Sequence, residues 1–135
     1  MTAATNAKPP KQLVVDVVRT FHTHPGTIPE PKKGALYFSE FDVYAEGTFG
    51  SEKPIGEGKW SGVVTEVGGL SGFWEAMTIH IVGQGVIEGL DTGAGSSWKG
   101  AIIAGTDDFA GASGEYSGIF LGDPQRSRIT FTFEK

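Results

Sequence analysis

Between Gly105 and Tyr116 the chain reads G-T-D-D-F-A-G-A-S-G-E-Y, and this stretch constrains the fold more than any other. One large aromatic, Phe109, stands in a cluster of Gly and Ala. On its N-terminal side is Ala101-Ile102-Ile103-Ala104; on its C-terminal side is Tyr116-Ser117-Gly118-Ile119-Phe120-Leu121. Both flanks are β-type sequence. Glycine supplies the left-handed or tightly bent backbone that other residues adopt only at a cost. A Phe set among such residues is expected to fold back onto a core as a plug while the chain turns closely around it. The segment therefore speaks of how a sheet closes, and is silent on what the protein does.

The rest of the chain supports a sheet. From Gln12, Leu13, Val15, Val17, Arg19 and Phe21 alternate with Val14, Asp16, Val18, Thr20 and His22, the period-two pattern of a strand. Pro25-Gly26, Pro29 and Pro31 break it, leaving a loop to about Lys33. Further strands are expected over about Ala35–Phe49, Gly56–Val67, Phe73–Val82, Gly83–Asp91, Ser97–Thr106, Gly114–Leu121 and Arg128–Glu134. Every run of helical spacing is cut by Gly or Pro within two turns. Eight short strands at regular spacing read as an antiparallel barrel or sandwich. Glycines inside the strands (Gly58, Gly62, Gly85, Gly89, Gly100, Gly118) favour the strong curvature of a barrel. So do the apolar first and last strands, which would aggregate as open edges.

Composition narrows the function classes. The 135 residues suit one domain, expected as a flexible tail over 1–11 and a barrel over 12–135. Cysteine is absent, which excludes disulfides, thiolate zinc sites and thiol catalysis. The formal net charge of -5 argues against nucleic acid and anionic membranes as partners. No apolar leader or membrane-length stretch is visible, so a soluble, cytoplasmic protein is expected. The 21 glycines accompany abundant Val, Ile, Thr and Phe, a mixture that describes turns and bent strands rather than disorder.

The Gly105–Tyr116 segment resembles the G-x-x-x-F-x-G-A-x-G segment of allene oxide cyclase and dirigent-type barrels. It is followed at the right distance by a terminal strand, R-I-T-F-T-F-E-K. A bacterial group of uncharacterised proteins shares the pattern. Residues 97–135 carry most of the resemblance, and 56–91 add weaker support. The resemblance implies an all-β, eight-stranded antiparallel, calycin-like barrel around an apolar cavity, in chains that form dimers or trimers. It implies cyclisation of a reactive hydrophobic intermediate, or steering of bound radicals, in which the cavity folds the substrate and a few polar groups orient it. The pocket residues of the plant cyclases match no particular positions here, so none is carried over.

Candidate residues follow from polar groups on apolar strand faces. Glu75 shares a face with Phe73, Met77, Ile79 and Ile81; inside a barrel its carboxyl would act as a general acid or base. At a barrel mouth it would be a solvated or salt-bridged surface group. Arg19, alone among Leu13, Val15, Val17 and Phe21, would pair with Glu75 or an anionic substrate group, or snorkel to solvent. These two are the catalytic candidates. Tyr37, Phe41, Trp60 and Met77 are the substrate-contacting candidates, against the plainer reading that they fill a core. His22, His24 and His80 are a weak metal set: His22-Thr23-His24 puts two imidazoles on one strand face, but Glu30 lies beyond two prolines. Asp107-Asp108 is expected to cap its own turn rather than bind calcium. The expectation is a cofactor-independent cyclase or isomerase of a small hydrophobic molecule, acting without metal and as a homo-oligomer. Its alternatives are a barrel that only binds such a molecule, and a solid structural or oligomerisation barrel. Apolar Val14 and Val18, opposite Leu13, Val15 and Val17, mark strand one as the expected subunit contact.

Overall fold

The period-two segments pair in chain order, each antiparallel to the next, and the last returns to the first. The computed structural model describes residues 11–23, 33–67, 70–94, 96–121 and 125–134. Its strands are β1 (Gln12–His22), β2 (Leu36–Ala45), β3 (Gly56–Val67), β4 (Leu70–Ile81), β5 (Gly85–Ala94), β6 (Ser97–Gly105), β7 (Gly114–Phe120) and β8 (Arg126–Phe133). Together they make one closed barrel in the order β1 to β8. Closure runs through the β1–β8 ladder, from Gln12↔Thr132 to Val18↔Arg126, so neither apolar terminal strand is left as an edge. The fold is the all-β, eight-stranded antiparallel barrel that the sequence predicts. Residues 1–10 of the expected tail, and His24, Pro25, Gly26, Pro29, Glu30 and Pro31, lie outside the described residues.

Interior and exterior largely alternate along the strands, interrupted by register shifts in the β1–β2 and β5–β6 ladders. One end of the barrel, where β1 begins and β8 finishes, is packed solid. Val15, Val17, Phe41, Val43, Met77, Ile79, Ile81, Ile87, Ile129 and Phe131 are buried there. Phe109 seals that end from the β6–β7 connection. It sits on a short 3-10 turn, Asp107–Phe109, is wholly buried, and stacks on Phe133 with ring centroids 5.9 Å apart. This is the plug read from the Gly105–Tyr116 segment. The aspartates before it do not cap the turn: no side-chain cap bond forms, and the backbone closes it through Ala110 N–H to Asp107 O.

Three local details differ from the sequence reading. First, β2 ends at Ala45 rather than near Phe49, because Gly47 takes a positive φ of 75° and turns the chain. Its N–H donates to Asp16 Oδ2 at 2.8 Å. Arg128 donates to both oxygens of the same carboxylate, at 2.7 and 3.0 Å. Burial would raise the Asp16 carboxyl, but these donors hold it below its ordinary value. Second, Val14 and Val18, the apolar outer-wall residues expected at a subunit contact, flank this ion pair and are half-buried. More exposed apolar residues stand on the outer wall at Leu36 and Trp74, on strands paired through Val63 of β3. Third, the β1–β2 register shifts between Arg19 and Phe21. This bulge reverses the alternation: Phe21 turns out and is 50% exposed, and His22 turns in.

Candidate functional site

The other end of the barrel is built from polar side chains held in one cross-strand row. In register, Tyr37 of β2 faces Gly62 of β3, and Gly62 faces Glu75 of β4. Glu75 faces Asp91 of β5, Asp91 faces Gly100 of β6, and Gly100 faces Tyr116 of β7. The row therefore reads tyrosine, glycine, acid, acid, glycine, tyrosine. Each tyrosine reaches over the glycine beside it to the nearer carboxyl. The Tyr37 hydroxyl donates to Glu75 Oε2, and the Tyr116 hydroxyl donates to Asp91 Oδ2 at 2.5 Å.

The two glycines are there for clearance. A Cβ at Gly62 would stand 2.7 Å from the Tyr37 hydroxyl and 2.7 Å from Glu75 Cβ. At Gly100 it would stand 2.5 Å from Asp91 Cβ and 2.7 Å from Tyr116 Cζ. Backbone oxygens come closer still, Trp74 O to the Cβ at Gly62 and Leu90 O to the Cβ at Gly100, so any larger residue would strain the sheet as well as crowd the tyrosine.

Burial controls the protonation of this row. Glu75 and Asp91 are buried, at 9% and 6% exposed. Removal from water, and then the adjacent Asp91 carboxyl, push Glu75 up to about 9. Asp91 is also raised by burial, against the opposing pull of its bonds to Glu75 and Tyr116. Both phenols are driven well above the ordinary tyrosine value by burial and by the acids they serve, so they stay protonated as donors. Among the described residues Asp91 Oδ1 has no donor unless Glu75 carries a proton. The arrangement is thus complete with Glu75 in its neutral acid form at pH 7.

Glu75 and Tyr37 open onto a cavity of about 200 Å³. That is small beside the roughly 300–1,000 Å³ usual for drug-sized ligands, so it suits a compact molecule. Its walls are aromatic: Trp60, Phe73, Trp98 and Phe120. Trp98 meets Trp60 edge to face at 5.9 Å and lies 5.2 Å from Phe120. The indole nitrogens of Trp60 and Trp98 have no hydrogen-bond partner among the described residues. Arg19, His22, Ser39, Gln125 and Ser127 add further polar groups to the lining. Ser39 is buried, and its Oγ lies 2.5 Å from His22 Nδ1. Asp91 and Tyr116 are not part of this lining.

Of the residues singled out from sequence, Glu75, Arg19, Tyr37 and Trp60 line the cavity. Phe41 and Met77 belong to the packed core, each 1% exposed, with Phe41 in contact with Trp60 at 4.4 Å between centroids. His22 faces the cavity and His80 is exposed; His24 is outside the described residues. No group of three His, Cys, Asp or Glu among the described residues is placed to hold a metal. Sequence reading missed Asp91, Tyr116, Ser39 and Trp98. Asp91 carried a local signal, a carboxyl on the same strand face as Ile87 and Gly89, but its meeting with Glu75 appears only once the strands are in register.

No protein-family model matches the chain, and no curated protein matches it. Among solved structures, one named pyocyanin demethylase is similar in fold. It superposes with a TM-score of 0.73 at 18% sequence identity, covering 90% of this chain and 98% of that one. The likeness establishes the barrel architecture; the allene oxide cyclase and dirigent resemblance remains a matter of the sequence segment.

Proposed function

We propose that the chain is a cofactor-independent enzyme that isomerises or cyclises a small, largely apolar molecule inside the barrel, with Glu75 as the proton donor. One observation carries this reading: a buried carboxyl, bonded by the Tyr37 hydroxyl and set beside a second buried carboxyl at Asp91, opens onto an aromatic cavity. A surface carboxylate is ionised at neutral pH and is a poor acid. A buried one with its pKa near 9 keeps a proton ready to give. The aromatic walls constrain the shape of a bound molecule, which lowers the entropic part of the barrier. Arg19 orients an electron-rich group of the substrate. Similarity to a barrel named for removing a methyl group from pyocyanin supports small-molecule chemistry in such a scaffold.

The test begins with native mass spectrometry of freshly purified protein and denaturing extraction of any bound molecule. Incubating that molecule with the wild type should give a product of unchanged mass and altered structure. Glu75→Gln should bind it but convert it about 10²–10⁴-fold more slowly, the usual weight of general acid catalysis. A molecule recovered chemically unchanged from the wild type would make this a binding barrel instead. We infer self-association as well, with Leu36 and Trp74 contributing more exposed apolar surface than Val14 and Val18. A monomer in sedimentation at high concentration would remove that part.

A further inference from the structure

We propose that His22 is a second catalytic group, a general base held by Ser39 and facing the same cavity as Glu75. The inference rests on the acid role given to Glu75 above and adds its counterpart. It starts from the β1 bulge. Uninterrupted alternation would point Phe21 inward and His22 outward. The register shift between Arg19 and Phe21 does the reverse, leaving a phenylalanine half exposed in order to bring an imidazole in. Hydrophobic packing alone would favour the opposite choice. Bulges recur beside active sites for this purpose, because they re-aim a side chain without ending the sheet.

Once inside, the ring is fixed on two sides. His22 and Ser39 are register partners, and His22 Nδ1 lies 2.5 Å from Ser39 Oγ. Ser39 is 1% exposed and held on a regular strand, so it is a stable anchor. The Tyr37 ring lies 5.9 Å from the imidazole, tilted by 56°. In the tautomer whose Nδ1–H donates to Ser39 Oγ, Nε2 carries the basic lone pair. The charged or titratable groups sharing this cavity are Arg19 from β1, Tyr37 from β2 and Glu75 from β4; Gln125 and Ser127 face it from beside and on β8. Tyr37 bonds Glu75 while packing near His22, and so spaces the acid from the base.

The step balances without a cofactor. His22 Nε2 removes a proton from the substrate, and the released electron pair shifts along the conjugated frame. The Glu75 proton goes to the atom where that pair arrives, giving an isomer. The imidazolium then loses its proton to water and the Glu75 carboxylate takes one up. Ser39 touches no reacting atom; it is a positioning residue.

The experiment uses 5-nitrobenzisoxazole, a small aromatic probe whose ring C–H proton must be removed by a base. The N–O bond then breaks, a nitrile forms and a coloured phenolate leaves. All variants keep Glu75, so failure here implicates His22, whereas failure of the acid role is read separately from Glu75→Gln with the extracted molecule. The wild type should exceed buffer, and His22→Gln should lose about 100-fold of that rate, the scale of general base catalysis. Ser39→Ala should lower kcat with KM little changed, and Ser39→Thr should recover part of it. Free imidazole should restore turnover by His22→Ala, which separates loss of the base from loss of the fold. A wild-type rate no greater than buffer would overturn the proposal. So would a His22→Gln rate within about twofold of wild type, or no response of His22→Ala to imidazole.

Discussion

The two tyrosine–carboxyl pairs are near copies in construction and differ in surroundings. Both use a phenol that crosses a glycine on the adjacent strand to reach an acid on the strand beyond it. Tyr37–Glu75 opens onto the aromatic cavity, whereas Tyr116–Asp91 is closed off from it, with Tyr116 2% exposed and in contact with Phe131. The same hydrogen bond therefore has two uses. On the closed side it satisfies a buried carboxyl and rigidifies the barrel. On the open side it fixes a carboxyl that borders the cavity. The closed pair also acts on the open one, because Asp91 is a cause of the upward shift of Glu75.

The largest expected effect concerns pH. Glu75 is protonated in the folded chain up to about 9 and ionises near 4.5 once unfolded. Between those values the folded state binds the extra proton, so stability falls as pH rises through the window. The slope for one such proton is about 1.4 kcal/mol per pH unit. Thermal melts across the window should show this decline, and Glu75→Gln should flatten it. A melting temperature that is level or rising across the same range would break the comparison at its root.

Next in size is the effect of filling the clearance under each tyrosine. Gly62→Ala and Gly100→Ala both force a Cβ into occupied space, and each should cost about 1–3 kcal/mol in chemical denaturation. The Gly100 substitution should be the worse of the two, since Tyr116, unlike Tyr37, does not border the aromatic cavity and is 2% exposed. Equal costs would mean that the open side is as tightly packed as the closed one.

The smallest effect separates the two hydroxyls. Tyr116→Phe leaves a buried Asp91 oxygen without its donor and should destabilise the chain by about 1–3 kcal/mol. Tyr37→Phe should cost less, about 0.5–1.5 kcal/mol, because water in the cavity can replace the lost donor. Its larger consequence should be on turnover. Urea unfolding of the two variants side by side measures the difference, and a reversed order would contradict the assignment of open and closed pairs.

Much of this fold was legible because alternation and glycine punctuation are local signals. The Phe109 plug and the apolar terminal strands pointed to closure, and closure is what the β1–β8 ladder achieves. Glu75 was legible as a charge on an otherwise apolar strand face. Its row was not, because Tyr37, Asp91 and Tyr116 are brought to it by register, and register is not written in any one strand. Gly62 and Gly100 were read as sites of curvature, and their side-chain clearance appears only when the neighbouring strands are in place. His22 was assigned to the wrong face because one inserted residue in a ladder inverts every side chain beyond it.

The central claim is that Glu75 stands protonated at neutral pH beside the cavity. Carbon-13 NMR of the glutamate side-chain carboxyls, with the Glu75 resonance identified by its loss in Glu75→Gln, tests this directly. The account predicts a titration midpoint near 9, with the resonance still in its protonated position at pH 7. A midpoint near the ordinary 4.5 would show an ionised carboxylate in the cavity and would contradict the acid role.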